Sequence, residues 1–301
     1  MSGSEPAHPA VVPWRFDAIG TGWEVVTEEP LGGAVRRHVL SLVERFDQEW
    51  SRFRPDSIVS ELGAAGGSVT APADAAAMLD AYAELSAATS GAVNPLVGRS
   101  LERLGYGADY ALTASEPVAA PADWTEALTW DRGILTLHRP ATIDVGALGK
   151  GRLVDLVAAE VADAVDGSIV VDAGGDIAVR GAPQRIGLEH PFDERRAIGV
   201  WAVADAALCA SAVNRRAWGD GLHHVLDART GAPVRTVAAT WAVAPTAMRA
   251  DAIATALFFD GGPRLAHTWG VEWVRMTTDG RVEWSPGCGA DLFTREASVE
   301  R

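Results

Sequence analysis

The sequence predicts an α+β fold: a mainly antiparallel or mixed β-sheet with helices packed against it. Three observations point there. From Gly133 onward short β-type runs follow one another closely, namely ILTLHR, SIVVDAG, IAVRG, RIGLEH, AIGVWAV, AALCAS, HHVLDA, ATWAVAP, VEWVRMT and RVEWS. Within that half only two stretches, roughly 148–166 and 247–259, read as helices. Before it, apolar residues recur mainly at helical spacing.

Taken in order, the chain opens on MSGSEPAHPAVVPWRF, which has no basic segment, no uninterrupted apolar run and no cysteine for lipid attachment. Residues 1–13 are expected to be a disordered leader, and the protein cytoplasmic. A first strand is expected around Trp14 to Val26. Then Val35, Val39, Leu42, Val43, Phe46 and Trp50 recur at helical spacing among Arg and Glu, an amphipathic helix of about four turns. Pro55 and Asp56 break that period, and Ser57 can cap a short second helix. A third helix is expected from about Pro72, with Met78, Tyr82 and Leu85 inward and Gly91 as its C-cap. Ala111 to Trp130 reads as a loop that carries a short turn of helix at most. No repeat or low-complexity linker interrupts the rest, so residues 14–295 are expected to form one domain and 296–301 a tail.

Composition narrows the function. Forty acidic residues against twenty-six basic ones give a net charge of −14 with no Lys/Arg-rich run, which argues against nucleic-acid binding. Cys209 and Cys288 are far apart and in no metal-ligand spacing, so neither a disulfide framework nor a zinc site is expected. No stretch approaches the roughly twenty apolar residues of a membrane span.

The chemistry concentrates in four segments. In PTAMRADAIATALFF, Pro245 to Phe259, Asp251 and Thr255 stand four apart in an otherwise apolar or small-residue helix, which puts both on one face. A buried Asp must be paired or hold a cation, and two oxygen donors suit a hard ion such as Mg²⁺. Alternatively, the Asp is capped and the Thr bonds back to its own helix. In TIDVGALGKGRLVD, Thr142 to Asp155, a strand is expected to end at Asp144 and a helix to begin near Lys150; the glycine turn between them is an anion site or simply a tight connection. The spacing of a P-loop is missing, and the segment makes a poor dinucleotide fingerprint. VVDAGGDIAVRG, Val170 to Gly181, reads as a hairpin. In GLHHVLDARTGAPV, Gly221 to Val234, His223 and His224 alternate in an expected strand, so only one faces a given side, and DARTG reads as a turn.

Together, in order, DVGALGKG, AGGDI, HxLDxRTGxPV and APTAMRADAIATAL closely resemble the signature of the ApbE family, the FAD:protein FMN transferases. FDQEWSRFRPDSIVSEL is similar to that family's LxxxxSRFRPDSELSRLN, and GAVNPLVGRSLERLGYG to its GAFDPTVGPLVxLWGFG. The resemblance runs from about Phe16 to Phe293. It implies an ApbE-like fold and Mg²⁺ on the pyrophosphate of FAD, held by the carbonyl of Ala147 and the side chains of Asp251 and Thr255. It implies FAD contacts at Ile19 (usually Met), Phe53, Ala92, Val93, Asn94, Asp144, Lys150 and Leu226. It matches His224 to the histidine that deprotonates or orients the attacking hydroxyl, and Arg215 lies in ASAVNRRAW, the segment that aligns with the block TSGxYxR. His224, Asp251 and Arg215 are thus the expected catalytic residues.

The activity implied is attack by a Thr or Ser hydroxyl of an acceptor flavoprotein on the FMN-side phosphorus of FAD, with release of AMP. The acceptor motif looks like Asp-x-x-Ser/Thr-Gly-Ala/Ser-Ser/Thr. This sequence departs from the family pattern at Ala210-Ser211-Ala212 for TSG, Asn94 for Asp, Ala228 for Pro, and in lacking the lipoprotein leader common there. A Mg²⁺-dependent FAD pyrophosphatase and a non-catalytic FAD-binding protein stand as alternatives.

Overall fold

Amphipathic spacing is realised first in α1, Gly33–Trp50, which buries Val39, Val43, Phe46 and Trp50 on one face. The computed structural model describes residues 13–109, 111–219 and 221–293. The expected leader, apart from Pro13, and the expected tail at 296–301 lie outside the described residues. Helix α2, Ile58–Ala65, starts where Ser57 Oγ accepts the Ser60 N–H at 3.1 Å. Helix α3, Ala75–Ala88, buries Met78, Tyr82 and Leu85; it begins after Asp74, and Pro72 stays outside it. Its C-cap is Thr89, and Gly91, at φ +85°, returns its N–H to Ser86 O at 2.8 Å. Helices α4, Gly98–Arg103, and α5, Trp124–Ala127, follow, then α6, Gly149–Ala162, α7, Ala247–Ala256, and α8, Gly262–Trp269.

The main sheet places Trp14–Ala18, Thr21–Thr27, Ile169–Asp172, Asp176–Arg180, Ala206–Ala212, Val237–Ala244, Glu272–Thr277 and Val282–Trp284 side by side in that order. Every neighbouring pair is antiparallel. Helices α6 and α7 pack together and onto this sheet. Pleating sends alternate residues to opposite faces. Ala207 and Cys209 therefore join the helix-side core with Val154, Val157 and Ile253, while Leu208 joins Leu188, Trp201 and Trp241 on the other face. That second face is covered by a smaller sheet of Gln184–His190, Asp193–Val203 and Ala290–Leu292. Burying each large side chain contributes about 1.5–3 kcal/mol, so two filled faces hold the sheet firmly.

Five expected elements differ. The loop expected as far as Trp130 ends in a strand, Leu128–Asp131, paired with Ile134–Leu137, and α8 adds a third helix to the two expected after Gly133. The single strand at Trp14 to Val26 is a hairpin, turned at Ile19 and Gly20, whose φ values are +46° and +75°. HHVLDA does not form one strand: Leu222–His223 pairs with Ala217–Trp218, whereas Leu226–Asp227 pairs with Ala232–Pro233. No strand ends at Asp144, whose N–H instead donates to Pro95 O at 2.7 Å. No described helix is long and apolar enough to cross a membrane.

Candidate functional site

The glycine segment is fixed before it enters α6. Asp144 accepts the Gly146 N–H through Oδ1 at 2.8 Å and the Arg52 Nε–H through Oδ2 at 2.5 Å. Tyr82 Oη donates to the Asp144 carbonyl at 3.1 Å and accepts the Ala147 N–H at 3.2 Å. The turn is thereby held, with Ala147 presented toward α7. Gly151 brings the two helices together, because a Cβ there would lie 2.3 Å from Ala247 O and 2.7 Å from Asp251 Cβ. Asp155 of α6 in turn accepts the Ala247 and Met248 N–H groups, at 2.7 and 3.0 Å, at the start of α7.

This close packing joins residues far apart in sequence. Thr255 Oγ1 lies 3.2 Å from the carbonyl oxygen of Ala147. One turn earlier on the same face, Asp251 is buried and its Oδ2 accepts the Gly151 N–H at 2.9 Å. Burial, and then the charge of Asp176, push the Asp251 carboxyl well above its usual range, against the pull of Lys150. Lys150 pairs with Asp176, whose second oxygen, Oδ1, is sealed from solvent without a partner. Burial alone would lower the Lys150 ammonium, but Asp176 and Asp251 outweigh it and hold it up. Two carboxylates thus face one cation.

Beside this junction lies a cavity of about 210 Å³. Ile19, Phe53, Ala92, Val93, Asn94 and Asp144 line it, as do Ala147, Lys150, His224, Leu226 and Thr255. Eleven residues expected at the site therefore meet in one place. Asp251 sits behind the wall, on the same face of α7 as Thr255. Arg215 is the exception: it is exposed and pairs with Glu189 at 2.8 Å, whereas its neighbour Arg216 lines the cavity. A second cavity, about 420 Å³, shares Ile19, Asp47, Ser51, Phe53, Tyr106 and Arg216 with the first, so the two form a continuous cleft. Its aromatic wall runs through Phe53, Tyr106 and Trp218, with ring centroids 5.5 and 5.3 Å apart.

The two histidines divide as alternation suggests, though not within one strand. His223 points away, its Nε2 2.8 Å from Val234 O. His224 faces the cavity with Nδ1 unpartnered; burial, then the charges of Arg216 and His223, push its pKa down to about 3. The imidazole is neutral, so it can take a proton.

A family model described as the ApbE family matches residues 19–273. The chain belongs to the ApbE family. An FAD:protein FMN transferase of Rhodobacter capsulatus is 30% identical over 307 residues, covering 92% of this chain and 57% of that protein. The chain therefore spans little more than half of that relative. An FAD:protein FMN transferase of Treponema pallidum (strain Nichols) is 30% identical over 295 residues, covering 84% of this chain and 80% of that one. Among solved structures, the ApbE protein of Thermotoga maritima superposes with a TM-score of 0.80 at 23% identity, covering 91% of this chain and 97% of that one. The flavinyl transferase ApbE of Pseudomonas stutzeri, in its apo form, gives 0.78 at 21%, covering 94% and 96%. The α+β, ApbE-like fold read from the sequence is thus the fold observed.

Where this chain departs from the ApbE pattern, the structure shows what the substitutions do. Ala228, in the place of proline, donates its N–H to Ala92 O at 3.0 Å, a bond proline lacks, and ties the histidine loop to the cavity wall. Asn94 bridges Pro121 O and the Leu96 N–H, at 2.8 Å each. Sequence reasoning missed Arg52, Asp176, Ser211 and Arg216. For Arg216 the signal was at hand: with Ala210-Ser211-Ala212 in the place of TSG, the arginine of TSGxYxR falls on position 216 and not on 215.

Proposed function

We propose that this chain is an FAD:protein FMN transferase, moving the FMN part of FAD to a Thr or Ser hydroxyl of an acceptor flavoprotein and releasing AMP. One observation carries the reading. The Ala147 carbonyl and the Thr255 hydroxyl meet at 3.2 Å, with Asp251 one turn away, beside a cavity lined by a neutral His224. The names borne by the ApbE relatives agree with it.

The donor set fits Mg²⁺. All three groups offer hard oxygens, and two cis ligands of an octahedral Mg²⁺ lie roughly 3 Å apart, close to the spacing found here. Burial and the neighbouring Asp176 disfavour the ionised form of Asp251, and a cation bound there would stabilise that form. Held by Ala147, Asp251 and Thr255, the ion would supply a Lewis acid and a template for the diphosphate.

The chain's own groups position the reactants and handle the proton. Phe53 and Tyr106 give the cleft an aromatic wall, while Tyr82, Asp144 and Arg52 fix the loop that presents Ala147. The acceptor oxygen bonds to the FMN-side phosphorus as the bond to the bridging oxygen breaks, and AMP leaves with the electron pair. The hydroxyl proton passes to His224. An anionic diphosphate nearby raises the basicity of that imidazole, so substrate binding prepares the base. Mixing the protein with FAD and Mg²⁺, with and without an acceptor bearing the family motif, tests the reading. Covalent flavin on the acceptor supports it; FMN and AMP formed equally without acceptor, or FAD left intact, would refute it.

A further inference from the structure

Around the cleft, the cations differ in whether a carboxylate holds them. Lys150 is committed to Asp176, and Arg54 to Glu44, Asp47 and Asp56; Arg52 is committed to Asp144 through its Nε, with its two terminal nitrogens buried and unpartnered beside the Phe53 and Tyr106 rings. Arg216 lines both cavities and is half-buried in the turn before Ala217–Trp218; its backbone bonds to the His224 imidazole, while its guanidinium makes no hydrogen bond or ion pair among the described residues. It shares the first cavity with His224 and Thr255, and its charge is felt at His224 and at Asp251. In a chain of net charge −14, a diphosphate arriving there meets cations already paired with carboxylates, apart from the guanidinium of Arg216.

We propose that Arg216 is a catalytic residue that grips the phosphoryl group in flight between the dinucleotide and the acceptor oxygen. This rests on the transferase reading above. A planar guanidinium can donate to two phosphoryl oxygens at once, which a lysine cannot match. As the acceptor O–P bond forms and the bond to the AMP oxygen breaks, charge spreads over the equatorial and leaving oxygens, where a fixed cation acts most strongly. Arg216 stays protonated throughout; the proton lost by the hydroxyl goes to His224.

The experiment compares wild type, Arg216→Ala and Arg216→Lys by FAD affinity, from flavin fluorescence, and by single-turnover transfer to an acceptor protein. Arg216→Ala should slow transfer about 10²–10³-fold while FAD affinity changes far less. Arg216→Lys should recover part of the rate, and non-denaturing guanidinium chloride should accelerate Arg216→Ala but not wild type. An equal loss of affinity and rate, or an unchanged rate, would overturn the assignment. A wild type that never modifies the acceptor would instead sink the transferase reading itself, so the two failures are separable.

Discussion

Thr255 Oγ1 and the carbonyl oxygen of Ala147, 108 positions apart in sequence, lie within 3.2 Å of one another. The contact exists because Gly151 lets α7 approach α6, and because Tyr82 holds the Ala147 amide. If the two oxygens and Asp251 share a cation, Asp251→Asn keeps an acceptor for the Gly151 N–H yet removes the anionic ligand. Thermal unfolding should then change little, while transfer falls at least about 10²-fold and needs more Mg²⁺. Undiminished turnover at ordinary Mg²⁺ would remove the metal assignment.

Gly151→Ala probes the packing beneath that site. The new methyl would overlap backbone at Ala247 O, at 2.3 Å, and no flexible side chain is there to yield. Urea unfolding should show a loss of about 1–3 kcal/mol or more, and FAD binding should weaken in parallel as the helices separate. A variant as stable as wild type would mean that the two helices are less closely locked.

His224 links stability to pH with a definite sign. Its folded pKa, about 3, lies below the ordinary 6.5, so between those values the unfolded chain binds more protons than the folded one. Stability from this group is therefore complete above about 6.5 and declines as pH falls toward 3. Urea midpoints of wild type minus His224→Gln, taken from about pH 4 to 7, should grow in favour of wild type as pH rises; a flat difference would contradict the neutral imidazole. The same variant should lose transfer rate more than FAD affinity, as expected of a proton acceptor.

Lys150→Met tests the buried pair. Asp176 would be left with a buried, unpaired charge, its Oδ1 being unpartnered already. Breaking one side of such a pair costs about 3–5 kcal/mol, measurable by urea unfolding. A loss below about 1 kcal/mol would show that the pair behaves like a solvent-exposed one.

How far the sequence was legible depended on the range of the interactions involved. Helix α1 follows from the spacing of Val39, Val43, Phe46 and Trp50, and α2 from the Ser57 cap, both local signals. Helices α4 and α8 carried too few periodic residues to register, although Gly270, in the left-handed region at φ +66°, marks the end of α8. The reversal at Ile19 puts a β-branched residue at positive φ, which its own preferences oppose and tertiary contacts impose. At the site, the i, i+4 relation of Asp251 and Thr255 was readable. Their meeting with Ala147 and the Arg52–Asp144 pair across 92 positions depend on how distant segments dock.

The most direct measurement is the intact mass of an acceptor protein after incubation with this chain, FAD and Mg²⁺, with AMP quantified in the same tube. A gain of one FMN less water per acceptor, matched one for one by AMP and abolished when the target Thr is changed to Val, is the result expected. AMP released while the acceptor mass stays unchanged would contradict transfer.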